Sequence, residues 1–334
     1  MEDLKGSRLN QRERKILKEL DINARQSVSA ISEKLKISKP SVNYNIENMQ
    51  KVGYIKEFIT YFDTNKLGYT FYNIMVKLKY MSKDDKNKII NGLNKIPNVV
   101  WCCSFTGEWQ LIVSILARNV GEFSAYLDQV LNVLKGGMLD YTFFIVLSAS
   151  QLGYKKIHTK AKGKHHFRIE HSKVSDQDKV ELSDNDLKIA RTLANNARMS
   201  LVDMAKKNKM TVRQARHSLR KLENEGIVQG YKPLINVSRL GHLWHIMFLR
   251  LKACPIEEKE EMIEFLKAMP EVCYVVRGVG NCNLMIEFHT ESVEEFEKVK
   301  DKISRAYNKL IAYERSVLVT EEHKCTYFPG SMGG

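Results

Sequence analysis

The chain has 334 residues, 43% hydrophobic and 28% charged, with a formal net charge of +14. That balance excludes disordered and fibrous classes, and no apolar run approaches the roughly eighteen residues of a membrane span. The N-terminal stretch has no apolar core for a secretory leader, so the expected location is cytoplasmic, with no membrane partner. Six cysteines, at 102, 103, 254, 273, 282 and 325, show neither CxxC nor zinc spacing, which leaves no expected metal site and fits reduced thiols.

In chain order, Leu9, Ile16, Leu17 and Leu20 recur at helical spacing behind the N-cap residue Asn10, and this helix should end near Asn23. A second helix is expected over 28–36 behind Ser27. After a short break, Ser38 and Pro40 open a third helix with Val42, Ile46 and Met49 on one face, ending at Gly53. The alternating stretch to Phe62 reads as a two-stranded wing. Residues 70–80 alternate as a strand, 82–95 have helical spacing, and 99–105 and 110–117 are strands around Thr106-Gly107-Glu108-Trp109. A helix over 120–134 and a strand over 139–147 complete the order βαββαβ. A polar, basic connector follows at 151–181. Its His158, His165, His166 and His171 lack an accompanying Cys or paired carboxylate, so they read as a solvated linker.

Everything then recurs at an offset of 173, from Leu9 to Leu182, without a gap to about Ser150. Asn23-Ala24-Arg25 falls on Asn196-Ala197-Arg198, Gly53 on Gly226, and Gly107 on Gly280. The period is too long for a solenoid and describes two copies of a complete module, hence an internal pseudo-dimer. The expected fold is α+β: winged helix-turn-helix domains at 9–69 and 182–242, and ferredoxin-like βαββαβ domains at 70–150 and 243–323. An antiparallel sheet covered by helices on one face leaves its other face bare, here with Trp101, Phe143, Tyr274 and Val276. Face-to-face packing of the two sheets within the chain is therefore expected, with pairing between chains as the alternative.

Charge follows the repeat. Lys and Arg against Asp and Glu count 11 to 7 in 9–69 and 12 to 5 in 182–242, but 8 to 6 in 70–150 and 11 to 15 in 243–323. Basic charge concentrated on the helical modules is the footprint of polyanion binding, and the expected partner is double-stranded DNA. With the apolar face of each third helix inward, the opposite face of the first copy carries Ser41, Tyr44, Asn48 and Lys51, flanked by Asn45 and Glu47 and preceded by Lys39. In the second copy it carries Arg213, Gln214, His217, Arg220 and Lys221, with Arg216 beside it. Amides can read adenine, and Arg or Lys can read guanine or hold phosphate. The two faces differ, which predicts an asymmetric DNA site.

The segments LNQRERKILKELDINAR, ISKPSVNYNIENMQKVGYI and TGEWQLIVSI, with LSDNDLKIARTLANNAR, MTVRQARHSLRKLENEGIVQGY and GVGNCNLMIEF, resemble the Lrp/AsnC family twice over, across roughly 9–150 and 182–323. The resemblance implies a sequence-specific transcription regulator and not an enzyme. It implies winged helix-turn-helix domains joined to sensor domains of the RAM type, self-association through the sheets, and an amino-acid or other small-molecule effector with no cofactor. The tandem arrangement departs from the family's usual single copy. So do Gln110 and Asn283, which stand three residues after Gly107 and Gly280 where the family carries Asp. An effector site there would involve Gly107, Glu108, Gln110, Gly280, Asn281 and Asn283. Fused twin modules also resemble siroheme decarboxylases, which bind a tetrapyrrole. Their His-Asn-Tyr stretch is replaced here by Trp101-Cys102-Cys103 and Tyr274-Val275-Val276, leaving Arg277 and His289 as candidates for an anionic cofactor. A scaffold without DNA binding is the third reading.

Overall fold

The computed structural model describes residues 9–158, 169–171 and 179–332. The first module opens with α1 (Gln11–Ile22), α2 (Val28–Leu35) and α3 (Lys39–Lys51), followed by one strand, β1 (Ile55–Phe62). Local chemistry sets the boundaries. The Asn10 side chain accepts from the N–H groups of Arg12 and Glu13, while the Glu13 carboxylate accepts from Asn10 N–H, so the orphan donors of α1 are satisfied reciprocally. Lys36 takes a left-handed conformation, φ 54°, to turn α2 into α3, and Lys209 does the same in the second copy at φ 53°.

The first sensor domain comprises β2 (Thr70–Leu78), α4 (Lys83–Lys95), β3 (Val99–Thr106), β4 (Leu111–Ala117), α5 (Val120–Leu134) and β5 (Met138–Gln151). The short α6 (Lys155–His158) and β6 (Ile169–His171) follow. Most of the expected connector, including His165 and His166, lies outside the described residues. The second copy runs α7 (Asp184–Asn195), α8 (Leu201–Lys207), α9 (Val212–Asn224), β7 (Val228–Ile235), β8 (Leu243–Leu251), α10 (Ile256–Ala268), β9 (Val272–Gly280), β10 (Leu284–Thr290), α11 (Val293–Tyr307) and β11 (Ile311–Cys325). No helix among the described residues is long and apolar enough to cross a membrane.

One expectation is corrected and another is extended. Neither wing is two-stranded by itself. β1 pairs antiparallel with β7, with Ile59 opposite Lys232 and Thr60 opposite Tyr231. Residues 55–62 form one uninterrupted strand, so its exposed backbone groups are satisfied by the matching strand of the other copy.

The bare faces of the two sensor sheets pack against each other within the chain, with Met75, Cys103 and Phe144 of one meeting Ile246, Phe248 and Met285 of the other, and the sheets are also continuous at their edges. They join edge to edge, in the order β2-β4-β3-β11-β8-β10-β9-β5, and β5 returns to β2, closing an antiparallel barrel, while β6 adds to the far end of β5. The closing strands β5 and β11, 14 and 15 residues long, outrun the strand expected over 139–147 and its counterpart in the second copy. Their C-terminal halves form the seams, from Phe144 opposite Gly280 to Gln151 opposite Tyr274, and from Leu318 opposite Thr106 to Cys325 opposite Trp101. Closure gives each of the eight barrel strands a neighbour on both sides.

Met75, Cys103, Phe144, Ile246, Phe248 and Met285 fill the barrel, and the helices cover it from outside. Phe143, expected on the bare face, points outward and is 38% exposed, whereas its neighbour Phe144 is fully buried. Val276 is buried inside the barrel as the alternation requires.

Candidate nucleic-acid interface and junction cavity

The repeated Asn-Ala-Arg tripeptide clasps the two helical modules. Ala24 N–H donates to Tyr231 O at 2.9 Å, and Ala197 N–H to Phe58 O at 3.1 Å. Arg25 donates to the carbonyls of Ala197 and Met199, and Arg198 to those of Ala24 and Gln26. Each guanidinium lies 5.2 Å from an aromatic centroid of the opposite module, Arg25 over Tyr231 and Arg198 over Phe58. An asymmetric lock adds to this pseudo-twofold contact: Lys232 of β7 reaches Asp21 of α1 at 2.6 Å, with both side chains buried. His158 Nε2 and the Tyr154 N–H converge on the same carboxylate.

With the modules held by these contacts, α3 and α9 present polar faces. Lys39, Tyr44, Lys51, Arg213, Gln214, Arg216, His217 and Arg220 are exposed, Tyr44 at 68%, and Ser41 is half-buried. Gln214 also closes the cap of α9, accepting from Thr211 N–H at 2.8 Å. Three candidates are placed differently from expectation. Asn45 is buried and donates to Ser41 O. Asn48 donates to Glu13 Oε1 at 3.1 Å, and Lys221 lies 3.0 Å from Asp186 Oδ2. The last two are equivalent positions, each tying the third helix of its module to the capping acid of the first. Asn43 and Gln50, absent from the sequence-based set, are exposed on α3. Helical spacing alone marks Asn43 as a neighbour of Glu47.

The candidate effector residues close turns. Gln110 accepts from Leu78 N–H at 2.8 Å and donates to Gly107 O at 2.7 Å. Asn283 accepts from Leu251 N–H at 2.7 Å, and Tyr313 OH donates to Asn281 O. Glu108 pairs with Arg315. Gly107 and Gly280 take φ of 123° and 129°, where a side chain would be strained. None of these six residues lines the cavity described next.

A cavity of about 100 Å³ sits where the barrel meets the paired wings. Tyr61 of β1 and Leu234, Ile235 and Val237 of the second wing form one wall. Trp101, Trp244 and Tyr274 of the barrel form another, and Tyr154 and Tyr327 close it. Its ionisable side chains are Glu287, His289 and Glu322, besides tyrosines and cysteines, and no Lys or Arg lines it among the described residues. Glu322 accepts from Trp101 Nε1 at 3.1 Å and lies 3.6 Å from Lys56 Nζ. Burial pushes the Glu287 carboxyl up to about 8, with the nearby Glu322 adding to the rise.

The Trp244 indole N–H faces Glu287 without reaching ordinary hydrogen-bond geometry. Burial holds His289 down to about 3, so its ring is neutral, and its Nδ1 has no hydrogen-bond partner. Arg277, an anionic-cofactor candidate on sequence grounds, pairs instead with Glu260 on α10 and does not line the cavity. Sequence reasoning assigned no site to Glu287, Glu322, Trp244 or Tyr327. No three His, Cys, Asp or Glu side chains gather as a metal site among the described residues.

A family model described as winged helix-turn-helix DNA-binding matches residues 9–56 and again 182–229, and one described as Lrp/AsnC ligand binding domain matches 73–151. Similar proteins include an uncharacterized HTH-type transcriptional regulator of Pyrococcus abyssi, 29% identical over 130 residues that cover 38% of this chain and 86% of that protein. The proline dehydrogenase transcriptional activator of Rhizobium radiobacter is 27% identical over 129 residues, covering 37% and 81%. Among solved structures, siroheme decarboxylase NirDL in co-complex with an iron-uroporphyrin III analogue superposes with a TM-score of 0.61 at 14% identity, covering 96% of this chain and 94% of that one. At that identity the likeness is one of fold.

Proposed function

The chain belongs to the Lrp/AsnC family of transcription regulators, and on that premise we propose that one polypeptide supplies the two-module DNA-reading unit. The observation that carries this reading is the clasped module pair, with the polar faces of α3 and α9 open to a duplex. Helices held in this way dock in successive major grooves. The α9 face, with Arg213, Arg216, His217 and Arg220, supplies phosphate contacts and affinity. The α3 face, with Asn43, Tyr44, Gln50 and Lys51, reads a different half-sequence.

The experiment is a salt titration of DNA binding by the full chain. Arg213→Ala with Arg216→Ala should weaken binding to all duplexes and flatten the slope of log affinity against log salt by roughly one for each phosphate no longer neutralised. Asn43→Ala with Tyr44→Ala should relax base preference at nearly unchanged slope. If the two pairs altered slope and preference alike, the division of labour would be wrong.

The whole-chain likeness to NirDL raises an enzymatic reading. A polycarboxylate tetrapyrrole does not suit this cavity, whose lining carries Glu287 and Glu322 and no Lys or Arg among the described residues. No reaction is therefore derived through such a group.

A further inference from the structure

The cavity has a chemistry that neither DNA reading nor the sensor turns use. Its walls are aromatic: Trp101 and Trp244 have centroids 6.5 Å apart, and Tyr61 and Tyr327 lie 4.2 Å apart. Glu322 has Lys56 beside it, but among the described residues no Lys or Arg pairs with Glu287. Aromatic faces and a carboxylate around an apolar volume attract cations, because the ring quadrupole and the carboxylate act in the same direction once water is excluded. His289, 4% exposed and neutral, lines the same space, and its Nδ1 has no hydrogen-bond partner.

The two copies differ here. Ser114 stands at the position equivalent to Glu287, Ala149 at that of Glu322 and Leu116 at that of His289, so the polar end is built once per chain.

We propose that this cavity binds one small organic cation per chain, with its ammonium group on Glu287 and His289 and its hydrocarbon or aromatic body against Trp101, Trp244 and Tyr274. Because Tyr61, Leu234, Ile235 and Val237 form the opposite wall, occupancy is felt by both wings; this second step rests on the regulator reading.

The ionisable groups around Glu287 include Glu322 and Cys325 on β11, Tyr274 and Cys273 on β9, Cys103 on β3 and the neutral His289 two positions along β10, none of which carries positive charge. With the Glu287 carboxyl raised toward 8, entry of a cation displaces its proton to solvent. Affinity therefore rises with pH through that region.

The test is calorimetry on the full chain with three probes of one shape: benzylamine, benzyl alcohol and benzoate. Benzylammonium should bind with release of a proton, seen as a dependence of heat on buffer ionisation enthalpy. Benzoate should not bind, and benzyl alcohol should bind more weakly. Glu287→Gln should weaken benzylammonium binding by roughly tenfold or more and leave the alcohol unchanged. Equal binding of all three probes to the unaltered chain, or no binding of benzylammonium, would overturn the proposal whether or not the variant folds. The calorimetry contains no DNA, so failure of the cation site and failure of DNA binding are read separately.

Discussion

Replacing Asp21 with alanine removes a carboxylate on which three donors converge: Lys232 Nζ at 2.6 Å, His158 Nε2 at 3.1 Å and the Tyr154 N–H at 3.0 Å. Lys232 is 1% exposed, so the substitution takes a carboxylate away from a buried ammonium between the two halves of the chain. Breaking a buried pair by removing one partner costs about 3–5 kcal/mol. For a chain of 334 residues melting as one unit, at roughly 2.1 cal/mol/K per residue, that corresponds to a fall in Tm of about 4–7 °C. Removing both charges, Asp21→Ala with Lys232→Met, should recover most of the loss, because an apolar replacement of a buried pair is often nearly neutral.

The pH dependence has a defined sign. Burial holds Lys232 down to about 8, below its unfolded value of 10.5, and Asp21 opposes that shift. Without Asp21 the ammonium loses the charge that opposes burial, so its pKa falls further below 8 and the folded variant sheds a proton that the folded parent keeps until about pH 8. The Asp21→Ala deficit should therefore shrink as pH rises from 7 towards 8 and stay level from there to pH 9. Thermal unfolding of the four members of the cycle at these pH values checks this. A single variant within about 1 °C of the parent, or a double variant below the single, would refute the reasoning.

Glu287→Gln should stabilise the chain as pH rises. Its carboxyl is held near 8 in the folded state against an ordinary 4.5, so folded protein binds the extra proton in that window and loses stability across it, by at most about 1.4 kcal/mol per pH unit. The gap between variant and parent should widen from pH 5 to pH 8, and a constant gap in thermal melts would contradict the buried-acid assignment. Gly278→Ala tests the barrel seam. A Cβ there would sit 2.6 Å from Ile145 O and 2.8 Å from Phe144 Cδ2, so β5 must move, at about 1–3 kcal/mol. Gly136→Ala, with φ of 83° but open space around it, isolates backbone strain and should leave amide exchange in β5 and β9 unchanged. Faster exchange across 144–151 in Gly278→Ala alone is the expected result.

The copies were legible because each writes its own pattern: Val42, Ile46 and Met49 at helical spacing, and capping boxes at Asn10 and Ser183. What could not be read is contact between elements far apart in sequence. β1 finds β7 rather than a hairpin partner, and Glu287 meets Glu322 from a different strand, so no local periodicity announces either. Asn48 falls on the outward side of a helical wheel, yet Glu13, 35 positions earlier, draws it inward.

The differences between copies follow the same logic. The Asn-Ala-Arg clasp, which must work in both directions, is kept in both. The ionisable groups at the junction are not duplicated: Asp21 faces Ala194 across the repeat, Lys232 corresponds to Ile59, and Glu287 and Glu322 correspond to Ser114 and Ala149. Two identical chains in the same arrangement would place every one of these groups twice, crowding four carboxyls around the cavity and raising the cost of charging any of them. Joining the modules in one polypeptide lets a single acid end face a single aromatic wall. It also fixes which third helix is basic and which is amide-rich relative to that cavity.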